Sequence, residues 1–282
     1  MTSSAELPVY GKLIRYVKSG FGTLNADTRN QICAFIGSCQ HNNGGFKGRS
    51  DNPDLYYSLF GFWLSSALGL TDILEKHRNF IMEYIQKPPE MITDRMALIL
   101  IFTGLFPDER PQPLFPVIRK LIGQGTRFNP AYSFFILMLL LDARHKYKWL
   151  SWFMARVWIS FRRLSVNIPC STLASVLLIK EHSNIECKHE QMKLLEYFRE
   201  GSGFSALTSL ETGDLLSTAV ALFALRESNF DLRVIAPECL GFIEKNYYSG
   251  AFLAGNGDNI ADLEYTFYGL LALGSLEREY EK

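Results

Sequence analysis

Long apolar runs are missing from this chain. The longest strongly apolar stretch, 131–141, is about half the ~20 residues that a membrane-spanning helix needs, so no transmembrane anchor is expected. The opening MTSSAELPVYGKLIRYVKSG holds no apolar run of secretory length, which predicts a cytoplasmic protein without a signal peptide. Charge of one sign is also missing. Lys plus Arg and Asp plus Glu both total 29, and this balance leaves no net field to draw the molecule onto nucleic acid. Cysteine is sparse, and Cys33, Cys39, Cys170, Cys187 and Cys239 form no Cys-x-x-Cys pair. Reduced thiols packed as small apolar side chains are expected instead of a disulfide framework. Neither a Gly-x-Gly-x-x-Gly turn, a Walker phosphate loop nor a Gly-x-Ser-x-Gly elbow stands between a strand and a helix, and no strands are predicted at all. Nucleotide chemistry is thereby excluded, and no cofactor is expected.

What the chain does have is a repeat. Hydrophobic residues make up 48% of its 282 positions, enough for a large core. Three segments, 44–70, 201–225 and 249–276, share one plan: a turn of small residues with a Phe, a polar loop, an Asp, then an apolar run rich in Leu, Ala and aromatics. The Asp is well suited to cap the helix that follows, since its carboxylate can accept the orphan N–H groups of the first turn. Asp54, Asp214 and Asp262 serve as a ruler, and weaker starts follow at Asp94, Asn129 and Ile168. These six lie 35 to 48 residues apart, room for one helical hairpin each.

The two helices of each hairpin differ in composition. Runs beginning at the six starts are apolar nearly all round, as a helix packed on every side must be. The stretches before them, 28–39, 72–86, 113–124, 146–164, 188–199 and 232–246, are amphipathic, with Glu75, Lys76, Arg78 and Glu83 on one face of the second. An all-α chain is predicted, one domain over 1–282, with inner and outer helix layers. The histidines His77, His145, His182 and His189 fall on or beside outer helices and His41 in a turn, and a surface or capping role is expected for each. Helix 146–164 joins Trp149, Trp152 and Trp158 to Lys146, Arg156 and Arg162. That mixture fits peripheral contact with a membrane surface or a partner groove, and also packing against neighbouring hairpins.

Gln40, Gly44 and Phe46 resemble the Gln-x-x-x-Gly-x-Trp/Phe signature of the prenyltransferase and squalene-oxidase repeat, with partial copies at 246–252 and 198–204. The resemblance spans nearly the whole chain. It implies an α/α toroid of six hairpins, the architecture of protein prenyltransferase β subunits and class II terpene cyclases. It also implies an apolar isoprenoid, or another lipophilic small molecule, as the ligand. With each start counted as position one, the prenyltransferase zinc site takes Asp at one, Cys at three and His at four. Here position four reads Tyr57, Ala97, Tyr132, Ser171, Ser217 and Tyr265, and Cys170 at position three follows Ile168, so no metal site is implied. Asp214 to Ala219 resembles the cyclase Asp-x-Asp-Asp-Thr-Ala segment with Leu216 where the proton donor stands, and a leucine donates no proton.

One acid remains at that depth. Glu264 occupies position three after Asp262, at the mouth of an apolar helix, where burial would keep it protonated near neutral pH as the acid of a cyclisation, oriented by Asp262. The plain alternative is that Asp262 and Glu264 only support their helix terminus. Tyr56, Tyr57, Phe60, Tyr132, Tyr265 and Tyr268, with Asp214, are the other candidate ligand-contacting residues. Their rings either line a cavity, where aromatic faces would stabilise a cation, or fill the core. Three functions follow: an isoprenoid-handling protein that cyclises or transfers its ligand, a non-catalytic interaction scaffold, or a β-like subunit working with an α-helical protein partner.

Overall fold

The computed structural model describes residues 9–106 and 167–277. The start at Asn129, helices 113–124 and 146–164, and Tyr132 and His145 lie outside the described residues. Helices dominate the rest. In chain order they are α1 (Val9–Gly22), α2 (Ala26–Cys39), α3 (Leu55–Leu68), α4 (Thr71–Gln86), α5 (Ile92–Leu105), α6 (Cys170–His182), α7 (Lys188–Leu195), α8 (Leu215–Glu227), α9 (Ala236–Lys245) and α10 (Leu263–Leu276). No helix among the described residues is long and apolar enough to cross a membrane.

The strong helix starts fall where the sequence places them. Asp54, Asp214 and Asp262 each accept a backbone N–H from the third residue on: Tyr57 at 2.8 Å, Ser217 at 2.7 Å and Tyr265 at 2.9 Å. The weaker starts shift. Helix α5 begins at Ile92, putting Asp94 inside the first turn, and α6 begins at Cys170 behind Pro169. The apolar helices lie side by side in the order α5, α3, α10, α8, α6, so the first and last repeats are neighbours. Against their outside lie α2, α4, α7 and α9, and on α4 the predicted charged face of Glu75, Lys76, Arg78 and Glu83 is exposed.

Two expectations need correction. Four short strands are present among the described residues: β1 (Phe198–Arg199) pairs with β2 (Gly203–Phe204), and β3 (Tyr247–Tyr248) with β4 (Ala251–Phe252). They are the repeat's turn. Phe46, Phe204 and Phe252 are fully buried there, and each donates its backbone N–H to a hydroxyl one turn into the following helix, Ser58 at 3.0 Å, Thr218 at 2.9 Å and Thr266 at 3.4 Å. Behind the ring stands a residue too small to touch it, Gly61 for Phe46 and Gly269 for Phe252, where any Cβ would collide with the ring. Asp54 and Asp214 close the unit by donating their own N–H to the Phe carbonyl, at 3.2 and 3.0 Å. Strands of two residues have no periodicity to read. Strand β1 also ends the outer helix early, at Leu195 instead of 199, and Pro237 splits 232–246 into a short 3-10 turn and α9.

The second correction is to the surface half of what was expected of His77. The side chain is buried, with Nδ1 2.9 Å from the Gly44 carbonyl and its ring against Phe46 and Phe80. It faces inward with Phe80 and Ile81, and burial lowers its pKa to about 4, so it is a neutral support for the first turn. Gln40 does the same from the other side, donating to the Gly44 and Ile73 carbonyls at 3.2 and 2.9 Å.

These turn contacts predict a measurable cost. Thr218→Val keeps the shape but leaves the buried Phe204 N–H without its acceptor, and a loss of about 1–3 kcal/mol in urea denaturation is expected.

Helix α1 was not foreseen as an element. Its apolar face, Val9, Leu13, Tyr16 and Val17, reaches the C-terminal halves of the core helices. Tyr10 meets Trp63 of α3 at 6.3 Å, Tyr16 meets Phe223 of α8 at 5.3 Å, and Lys12 bonds Glu227 of α8 at 2.6 Å beside His182 of α6. Against α10 the approach is closest, at Gly20 and Gly274. The opposite end, where the helices begin, is left to the Asp caps.

Candidate functional site

Helices α3 and α10 open side by side, and equivalent positions of the two repeats face each other. Tyr56 stands two residues after Asp54, and Glu264 two residues after Asp262. The Tyr56 hydroxyl donates to Glu264 Oε1 at 2.7 Å. A carboxylate supporting its own helix start would turn to the first-turn N–H groups. Asp262 already does so, and Glu264 reaches across to the neighbouring helix.

Burial raises the pKa of Glu264 from 4.5 to about 7; the nearby Asp262 charge adds to the rise, while Tyr56 and Arg49 oppose it. Near neutral pH the group therefore carries its proton in a substantial fraction of molecules, the condition for a general acid.

Asp262 is occupied elsewhere. Oδ1 takes the Tyr265 N–H, and Oδ2 lies 3.2 Å from Arg49 Nε. Arg49 also holds Asp258 at 2.7 Å, so the loops before α3 and before α10 are tied together above the site. Asp262 is only 1% exposed at its side chain, and burial pushes its pKa up against the cap bond and Arg49. The pKa of the half-buried Asp258 is lowered, first by the Ile260 N–H and then by Arg49. Arg49 escaped sequence reasoning. It is one of two cations, with Lys47, in an otherwise polar turn, and only the fold brings it to the last repeat.

The remaining candidates divide by depth. Tyr56, Tyr57, Tyr265 and Tyr268 are half-buried around Glu264, whereas Phe60, Trp63 and Phe267 are buried beneath them. Phe60 joins the layers, its ring centroid 5.3 Å from Tyr56, 5.6 Å from Phe267 and 5.8 Å from Tyr268, edge to face. Asp214 serves its own helix, accepting both the backbone N–H and the hydroxyl of Ser217 at 2.7 Å, and burial raises its pKa. Leu216, in the third position of that repeat, is half-buried and offers no proton. Cys170 is fully buried with its thiol toward the Ser217 carbonyl at 3.8 Å, and burial raises its pKa well above the usual thiol value. Among the described residues no three His, Cys, Asp or Glu side chains stand close enough together to hold a metal ion.

Compared with known proteins, the chain matches no family model, no curated protein and no solved structure.

Proposed function

We propose that the chain is an isoprenoid-handling protein whose core helices belong to a closed α/α toroid, and that Glu264 is the proton donor of a cyclisation. The observation that carries this reading is the half-buried Glu264 carboxyl, held by the Tyr56 hydroxyl at 2.7 Å beside Tyr57 and Tyr265 where the core helices begin, with burial raising its pKa to about 7. In the step envisaged, the Glu264 O–H bond breaks and its proton forms a new bond to an alkene carbon or epoxide oxygen of the substrate. The substrate becomes a carbocation, and Glu264 becomes a carboxylate. Aromatic faces of the kind gathered here attract such a cation. Loss of a proton from the cyclised product, returned through solvent, restores the acid.

The test incubates wild type and Glu264→Gln with farnesyl, geranylgeranyl and squalene-type substrates and reads products by mass spectrometry. Loss of a general acid is expected to reduce turnover by about 100-fold or more. Equal conversion by the variant would remove Glu264 from the mechanism.

A second reading, a non-catalytic interaction scaffold, has its own support in the buried aromatic cluster of Phe60, Trp63 and Phe267, which is core packing. Native mass spectrometry of protein from its own host separates the two. A retained lipid favours ligand handling, and a lipid-free chain holding a second protein favours the scaffold.

A further inference from the structure

We infer that Tyr56 is the positioning residue of Glu264: its hydroxyl claims Oε1 as acceptor, and so leaves the transferable proton on Oε2. This rests on the reading of Glu264 as a proton donor. The two residues come from opposite ends of the chain, 208 positions apart, and meet at 2.7 Å because α3 and α10 are neighbours with their caps level.

Chemistry follows from that one bond. A neutral carboxyl accepts a hydrogen bond best at its carbonyl oxygen, and the donor therefore selects Oε1 as C=O and Oε2 as O–H. After transfer, the same donor stabilises the carboxylate, and charge-assisted bonds are the stronger kind. Tyr56 thus favours the product side of the step while holding the acid in one orientation. Its own ring is fixed by edge contacts to Tyr57 at 5.4 Å and Phe60 at 5.3 Å, so removing the hydroxyl alone leaves the ring supported. The corresponding position in the next repeat is Leu216, which supplies no such donor.

The experiment reads Glu264 directly, without a substrate. Its protonated C=O band, assigned by its disappearance in Glu264→Gln, is followed through pH by difference infrared spectroscopy in wild type and Tyr56→Phe. Loss of the donor must raise the midpoint, since the bond favours the ionised form, by about one to two pH units. The band should also move in frequency at low pH, because the carbonyl oxygen loses its partner. A Tyr56 that is only structural would lower thermal stability and leave both midpoint and band unchanged, and that result overturns the inference. If Tyr56→Phe fails to fold, wild-type protein with fluorotyrosine at 56 supplies the readout. Its fluorine resonance must titrate with the Glu264 midpoint, and a resonance indifferent to that midpoint is equally fatal. Failure of the acid itself is distinct: turnover would survive Glu264→Gln whatever the spectra of Tyr56→Phe show.

Discussion

Glu264→Gln is expected to make the protein more stable than wild type at pH 8, by up to about 3 kcal/mol, and to lose most of that advantage below pH 4.5. The sign follows from proton counting. Glu264 titrates at about 7 in the folded chain and at 4.5 when free. Between those values the unfolded chain has released the proton and the folded chain still holds it. Stability then falls as pH rises, and it levels off once the folded group has ionised. Each unit of difference is worth about 1.4 kcal/mol. Gln can still accept from Tyr56 through its amide oxygen, so the variant keeps the bond and drops the titration. Asp54, Asp214 and Asp262 are also raised by burial and slope the same way, and for that reason the comparison must be wild type minus variant. Urea denaturation at half-unit pH steps gives the difference curve. If it does not widen between pH 4.5 and 7, Glu264 does not hold its proton up to neutral pH.

That acid was legible early because its position is a register. Asp262 announced the helix start as Asp54 and Asp214 did, and counting two residues on reached the one carboxylate at that depth in any of the starts. Its partner was not legible. Tyr56 stood among the aromatic candidates, but which helix lies beside α10 is decided by tertiary packing, and Arg49 reaches Asp262 only because α3 packs there. Asp262 was expected to orient the acid; its oxygens instead serve the Tyr265 N–H and Arg49. The repeat turn was read as small residues plus Phe, which is its composition. Its mechanism, a buried N–H returned to a Ser or Thr hydroxyl, is a contact between two elements and leaves no mark in composition. Helix α1 had a visible stripe in Val9, Leu13, Tyr16, Val17 and Gly20. It lacked the Asp-led start by which the other apolar helices were found, and so fell outside the ruler. His77 lies on a helix with a charged outer face, and composition alone does not say which side of that helix a single His takes.

Gly274→Val is expected to detach α1. The backbones of α1 and α10 meet where a Cβ on Gly274 would collide with the Tyr16 carbonyl, and one on Gly20 with the Leu270 carbonyl and the Gly274 N–H. Backbone atoms cannot step aside as a side chain can, so the helices must separate. Overpacking of this kind costs about 1–3 kcal/mol. Separation also breaks the Lys12–Glu227 bond of 2.6 Å and the Tyr16 hydroxyl's bond to Glu227 at 3.0 Å. Separation also exposes the buried side chains of Val9, Leu13 and Val17, which raises the expected total to about 4 kcal/mol or more. Gly22→Ala is the control, since a Cβ there meets no atom within 4 Å, and it should be neutral. Hydrogen exchange shows where the loss falls. Amides of α1 should lose protection while those of α3 and the first turn of α10 keep it, because α1 touches the ends of the core helices away from Tyr56 and Glu264. A variant within about 0.5 kcal/mol of wild type, with α1 still protected, would mean that the crossing is looser than the structure places it.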